Sequence, residues 1–357
     1  MTFRFEITKQ SKRSKARIGK IHTAHGIINT PAFLPIGTQG AVKAMSPRDL
    51  NEIGAEIMLC NMYHLLLRPG TELIKEAGGL HRFINWNKPI FTDSGGFQVF
   101  SLTQMRKIHE DGVEFTSHID GKKHYLTPQS VVETQLIFGS DIMMPLDECV
   151  PYPCEKKQAR EALVKTTRWA GESKRIAVSS KQKAESGTLF GIVQGSTYLD
   201  LRKQSAQEIA DIDFPGYAIG GLSVGEPQNA MLEMLDAVTD ILPADTPKHL
   251  LGVGFPEDII KAVELGVDTF DCVIPTRLAR HGTFLSAEGR INIRHAKFEK
   301  DFSPLETACD CYACQNFSKA YIRHLFWARE ILALQLLTIH NLRYYMRLME
   351  KIRTELI

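Results

Sequence analysis

The chain has 357 residues, of which 43% are apolar and 24% charged, with a formal net charge of +2. That balance excludes collagen-like and disordered chains and supports a substantial buried core. No run reaches the roughly 18 apolar residues that cross a bilayer, and Met-Thr-Phe-Arg-Phe-Glu at the N-terminus lacks the apolar segment of a secretion signal. A cytoplasmic protein without a membrane partner is expected. Seven cysteines, an odd number, argue against a disulfide framework. Three of them, at 309, 311 and 314, crowd into six residues and point to a metal.

Residues 1–40 mix short alternating runs, such as Phe3-Arg4-Phe5-Glu6-Ile7, with Gly and Pro, and read as a small antiparallel sheet. Between 41 and 276 short apolar runs alternate with helical stretches. Strands are expected near 41–45 and over 55–60, 90–92, 142–145, 189–193, 217–219, 249–251 and 269–270. Helices are expected over 128–138, 156–173, 199–210, 229–238 and 256–264. Eight strands alternating with helices predict an α/β chain folded as a (β/α)8 TIM barrel, although a doubly wound open sheet gives the same rhythm. The polar stretch 171–187 reads as a helix end and surface loop. Residues 277–357 lose the rhythm and read as a zinc-binding subdomain with the final barrel helix, carrying helical stretches over 318–337 and 340–356. From Cys272 onward there are 13 Lys and Arg against 8 Asp and Glu. That excess suits a polyanionic partner, and equally a solvated helix surface.

The residues after the strands carry the chemistry. They are Asn61, Asp93-Ser94-Gly95-Gly96, Asp147-Glu148-Cys149, Gln194-Gly195-Ser196, Gly220-Gly221, Gly252-Val253-Gly254 and Asp271. In a barrel these ends converge on one mouth, and glycines let backbone amides approach a flat ligand. A single such loop would only be a turn; six that carry Gly or Asp, in register, suggest a site. Cleaving an N-glycosidic bond with retention needs one carboxylate nucleophile and a second carboxyl as acid and then base. Asp93, Asp147 and Asp271 can meet that need, with one left to read a guanine-like edge.

Cys309-x-Cys311-x2-Cys314 with one imidazole completes tetrahedral zinc and leaves no position open for water, so the metal is expected to be structural. Spacing alone leaves His324 or His340 as the fourth ligand. The His-x-Glu and Pro-Cys-x-x-Cys pairs of zinc nucleobase deaminases are absent. A zinc-dependent barrel hydrolase would need histidines at strand ends and an open metal position, whereas aspartates and glycines stand there.

Five stretches together resemble tRNA-guanine transglycosylases: Thr92-Asp-Ser-Gly-Gly-Phe-Gln-Val-Phe100, Gly191-Ile-Val-Gln-Gly-Ser196, Gly220-Gly-Leu-Ser-Val-Gly-Glu226, Phe270-Asp-Cys-Val-Ile-Pro-Thr-Arg277, and the set Cys309, Cys311, Cys314 and His340. The resemblance runs from about residue 5 to 353. It implies Asp271 as nucleophile and Asp93 as general acid/base, with Ser94, Gly95 and Gly96 lining the pocket and Phe97 stacking on the base. Asp147, Gln194, the Gly221 amide and the Leu222 carbonyl would bind the purine edge. Cys149 and Val224 match the bacterial pattern, which admits 7-aminomethyl-7-deazaguanine. Gly252, Val253, Gly254, Phe255, Pro256, Glu257 and Asp258, with Thr276, Arg277, Leu278, Ala279 and Arg280, match the RNA-contacting segments; Phe255 and Leu278 depart from the usual residues there. The implied partners are the tRNA anticodon loop, guanine and the deazaguanine base, in a homodimer holding one Zn2+ per chain and no nucleotide or redox cofactor. An unpaired loop whose base leaves its stack is what such a pocket reads.

Overall fold

In the computed structural model, which describes residues 3–102, 106–180 and 187–355, eight parallel strands form a closed ring. We number them β1 (Ala32–Leu34 with Ile36–Gly37), β2 (Met58–Cys60), β3 (Ile90–Thr92), β4 (Ile142–Met143), β5 (Thr188–Leu189 with Gly191–Val193), β6 (Tyr217–Ile219), β7 (Lys248–Leu250) and β8 (Thr269–Asp271). Each pairs in parallel with the next, and β8 returns to the first half of β1 through Asp271 opposite Leu34. Two strands pass between neighbours at a single residue. Pro35 has no N–H to give, yet its carbonyl accepts from Leu59 N at 3.0 Å; Phe190 N donates to Met143 O at 3.0 Å before Gly191 N turns to Gly216 O at 2.9 Å.

Alternation along the strands sorts the core. Leu34, Ile36, Leu59, Phe91, Ile142, Phe190, Ile192 and Ala218 form the cluster inside the barrel. Phe33, Met58, Ile90, Met143, Val193, Ile219, Leu250 and Phe270 face the helices in the larger cluster. The N-terminal antiparallel sheet of Arg4–Gln10, Arg17–Thr23 and Gly26–Thr30 adds Ile21 and Ile28 to the interior cluster, and so plugs the amino end of the barrel. Arg17 pins it there: its Nε and Nη2 donate to the two carboxylate oxygens of Asp268 at 2.9 and 2.6 Å, both side chains being buried.

Three features differ from the sequence reading. No strand forms at 41–45; the first barrel strand lies at 32–37, where the interruption by Pro35 masks its character, and 41–45 is a turn with Ala44 at φ 61°. A second antiparallel sheet (Arg106–Ile108, Val113–Thr116, Lys123–Leu126) is inserted between β3 and the helix Pro128–Phe138. The C-terminal helices are Lys319–Trp327 and Ile331–Glu355, broken at Arg329 with φ 59° and not after 337, so His340 lies inside the second helix. The helix begun at Lys156 runs on to Ser179; residues 181–186 of the expected surface loop, and Leu356 at the end of the last expected helix, lie outside the described residues. Among those described, no helix is long and apolar enough to cross a membrane.

Candidate active site and metal centre

Asp93 follows β3 at the carboxyl end of the barrel, half-buried. Its Oδ1 accepts from Met62 N at 2.9 Å; its Oδ2 accepts from Gln98 Nε2 at 2.8 Å and from Asn61 Nδ2. Loss of solvent pushes its pKa up to about 6. The three donors oppose that rise, and the negative charge of Asp271 adds to it. The two carboxyl groups are thus near enough for the charge of one to act on the other.

Asp271 ends β8 and is 6% exposed. Only Oδ1 is engaged among the described residues, accepting from His249 Nε2 at 3.1 Å and from Gly252 N at 3.1 Å. His249 is fully buried on β7, and its Nδ1 lies 2.9 Å from Thr269 Oγ1. A carboxylate only accepts, so Nε2 must carry the hydrogen and Nδ1 accepts from the threonine. This chain of bonds fixes one oxygen of Asp271 and leaves Oδ2 free. Neither His249 nor the donors Asn61 and Gln98 were singled out for these roles from sequence. The available signal was a polar residue at an inward strand position.

Across the mouth, Asp147 is buried and accepts from Ser94 Oγ at 2.8 Å through Oδ1 and from Gln194 Nε2 at 2.8 Å through Oδ2. Burial raises its pKa against these two bonds. The bond to Asp147 sets the Gln194 amide so that Oε1 faces away, buried and without a partner among the described residues. Glycine is required beside it: a Cβ on Gly96 would lie 2.5 Å from Asp147 Oδ1, and one on Gly221 would lie 2.2 Å from Gln194 Oε1. Leu222 and Cys149 are buried close by in the chain, while Phe97 is 52% exposed on the helix Gly96–Leu102. Burial pushes the Cys149 and Cys272 thiols up to about 12, which keeps both protonated and poor nucleophiles. The arrangement offers two carboxyl groups with different hydrogen-bond partners at the carboxyl end of one barrel, with Asp147 and Gln194 adding further hydrogen-bonding edges at that end.

The two loop segments flanking Asp271 divide by exposure. Gly252, Glu257 and Arg277 are exposed, Phe255, Pro256, Asp258, Leu278 and Arg280 are half-buried, and Val253, Gly254, Thr276 and Ala279 are buried. The buried four can shape the segment but cannot offer side chains to a partner. Phe255 lies under the Arg290 guanidinium, 4.9 Å from its ring centre. Arg280 Nη1 is buried without a partner, a donor left open beside the exposed Arg277.

Cys309, Cys311, Cys314 and His340 are all buried, with their ligand atoms within 4.8 Å of one another. His340 Nδ1 lies 3.2 Å from Cys314 Sγ, and its Nε2–H donates to Leu285 O at 2.6 Å. That outer bond directs the Nδ1 lone pair at the thiols, as metal-bound histidines require. Three soft sulfurs and one imidazole fit a metal ion with a closed coordination shell. His324 is exposed on the helix Lys319–Trp327, which settles the choice left open by spacing.

A family profile described as queuine tRNA-ribosyltransferase matches residues 11–357. The chain belongs to that family. It is 55% identical over 350 residues to the queuine tRNA-ribosyltransferase of Thermoanaerobacter pseudethanolicus, covering 98% of this chain and 92% of the relative. The protein of the same name from Caldanaerobacter subterraneus gives the same identity and coverage, and that of Symbiobacterium thermophilum is 53% identical over 100% of this chain and 88% of its own. The barrel and the C-terminal Cys3His cluster thus stand within a queuine tRNA-ribosyltransferase family member.

Proposed function

We propose that this chain is a tRNA-guanine transglycosylase, exchanging guanine at the anticodon wobble position for 7-aminomethyl-7-deazaguanine in a step toward queuosine. Asp271 attacks the ribose anomeric carbon through Oδ2. The bond to guanine N9 breaks and its electron pair leaves with the base, while Asp93 delivers a proton to the departing purine. The tRNA is then held as an ester of Asp271. Asp93, now ionised, takes the N9 proton of the incoming base, which displaces Asp271 and restores the original configuration after two inversions. Asp147, Gln194, Gly221 and Leu222 read the purine edge, with Ser94, Gly95 and Gly96 beneath it and Phe97 against its face. The segments 252–258 and 276–280 contact the RNA.

The observation that carries this reading is the contrast between the two carboxyl groups. One is pushed up to about 6, within reach of both protonation states, and the other has one oxygen fixed and one free. The Cys3His set would hold zinc as a staple away from the chemistry. The family resemblance carries the homodimer into this reading, and a tRNA substrate implies a cytoplasmic site of action. The test is incorporation of labelled guanine into bulk bacterial tRNA. Asp93→Asn should slow exchange by roughly a hundredfold or more while the variant still retards tRNA on a native gel. Exchange near the unsubstituted rate would remove Asp93 from the acid/base role.

A further inference from the structure

Arg202 lies on the helix Leu199–Asp211 and is entirely buried. Among the described residues it has no carboxylate partner within salt-bridge distance, and every hydrogen bond it makes goes to a backbone carbonyl. Its Nε donates to Ser196 O at 2.6 Å, its Nη1 to Gly220 O at 2.7 Å and to Val193 O at 3.4 Å, and its Nη2 to Gly221 O at 2.8 Å. Burying a lone cation is costly unless its hydrogens are met, and here four of the five are met by carbonyls at and just beyond the carboxyl ends of β5 and β6. Burial lowers the guanidinium pKa to about 10, which leaves it charged at neutral pH.

The carbonyl of Gly220 and the N–H of Gly221 belong to the same peptide group. A charged donor on the oxygen draws electron density through that group and makes its N–H a stronger donor. No acceptor takes the Gly221 N–H among the described residues, and Gln194 Oε1, also unpartnered, lies against the same glycine. We propose that Arg202 is a positioning residue that polarises the Gly220–Gly221 peptide, so that the Gly221 amide grips the 6-oxo group of a bound guanine. Negative charge builds on that oxygen as the bond to N9 breaks, and the strengthened amide meets it there. The inference rests on the transglycosylase reading and identifies what drives base discrimination within it.

A helper that only braced the loops would support all purines alike. One that charges a single amide would favour bases carrying the 6-oxo group. Free guanine and 2-aminopurine, which lacks that group, separate the two, with affinities measured by calorimetry on the full-length, metal-loaded protein. Arg202→Gln should weaken guanine binding about tenfold or more, as expected for loss of a charge-assisted bond, and leave 2-aminopurine within about twofold; Arg202→Lys should fall between. Equal losses for both bases, or none, would overturn the proposal. Should Arg202→Gln fail to fold, the Arg202→Lys ratio decides in the same way. Whether the unsubstituted protein incorporates guanine into tRNA is read separately, so failure of the transglycosylase reading is distinguished from failure of the Arg202 role.

Discussion

Asp93 and Asp271 have the same functional group, and the different tasks proposed for them rest on their different surroundings. Burial and a neighbouring charge hold Asp93 near pH 6, whereas Asp271 is clamped by a histidine and a loop amide through one oxygen. Opposite pH dependences are expected for the two half-reactions. Formation of the covalent tRNA adduct needs protonated Asp93 and should decline as pH rises through about 6; displacement of the adduct by the incoming base needs the ionised form and should rise over the same interval. Rapid-quench assays of each half-reaction read this directly, and parallel profiles would count against the assignment. At this scale the sequence was informative about place: Asp93, Asp147 and Asp271 stand at or after strand ends, at the carboxyl end of the barrel, as expected. It was silent where the role comes from convergence. Arg202 occupies the buried face of its helix with Leu201, Ser205 and Ile209, and only folding shows that its guanidinium reaches two different loops.

Among the elements, long and regular ones were legible and short or interrupted ones were not. The helices Pro128–Phe138 and Pro256–Glu264 stand where their patterns put them, the first opened by Thr127 and Ser130 in reciprocal capping. The first barrel strand was misplaced because Pro35 divides it, and proline inside a run argues against a strand until a partner on each side is known. The inserted sheet of three- and four-residue strands offers too little alternation to be read. The N-terminal sheet, correctly expected, owes its position to Arg17 and Asp268. Arg17→Ala would leave the fully buried Asp268 carboxylate with only the Lys248 amide at 2.7 Å, at a cost of about 3–5 kcal/mol. A fall of several degrees in the unfolding midpoint is expected, partly recovered by adding Asp268→Asn. An unchanged midpoint for Arg17→Ala would show that the plug is held by its apolar face alone.

For the whole molecule, the helix Ile331–Glu355 joins the Cys3His cluster to the carboxyl end of the barrel. His340 faces the cysteines. Asn341 Nδ2 donates to Pro275 O and Thr283 O, each at 3.0 Å, while the Tyr345 hydroxyl donates to Gly254 O. Arg353 reaches Pro31 O at 2.7 Å, beside β1. A metal holding one end of this helix would thus steady both segments that flank Asp271. Removing it with a strong chelator should speed amide hydrogen exchange over 283–345 and lower thermal stability; loss of guanine exchange with folding untouched would instead make the metal catalytic. Asp271, in the proposed reaction, carries the tRNA covalently. Enzyme and tRNA should form a species that survives denaturing electrophoresis, dissolves when guanine is supplied, and is absent for Asp271→Ala. An adduct of undiminished yield with that variant would contradict the account.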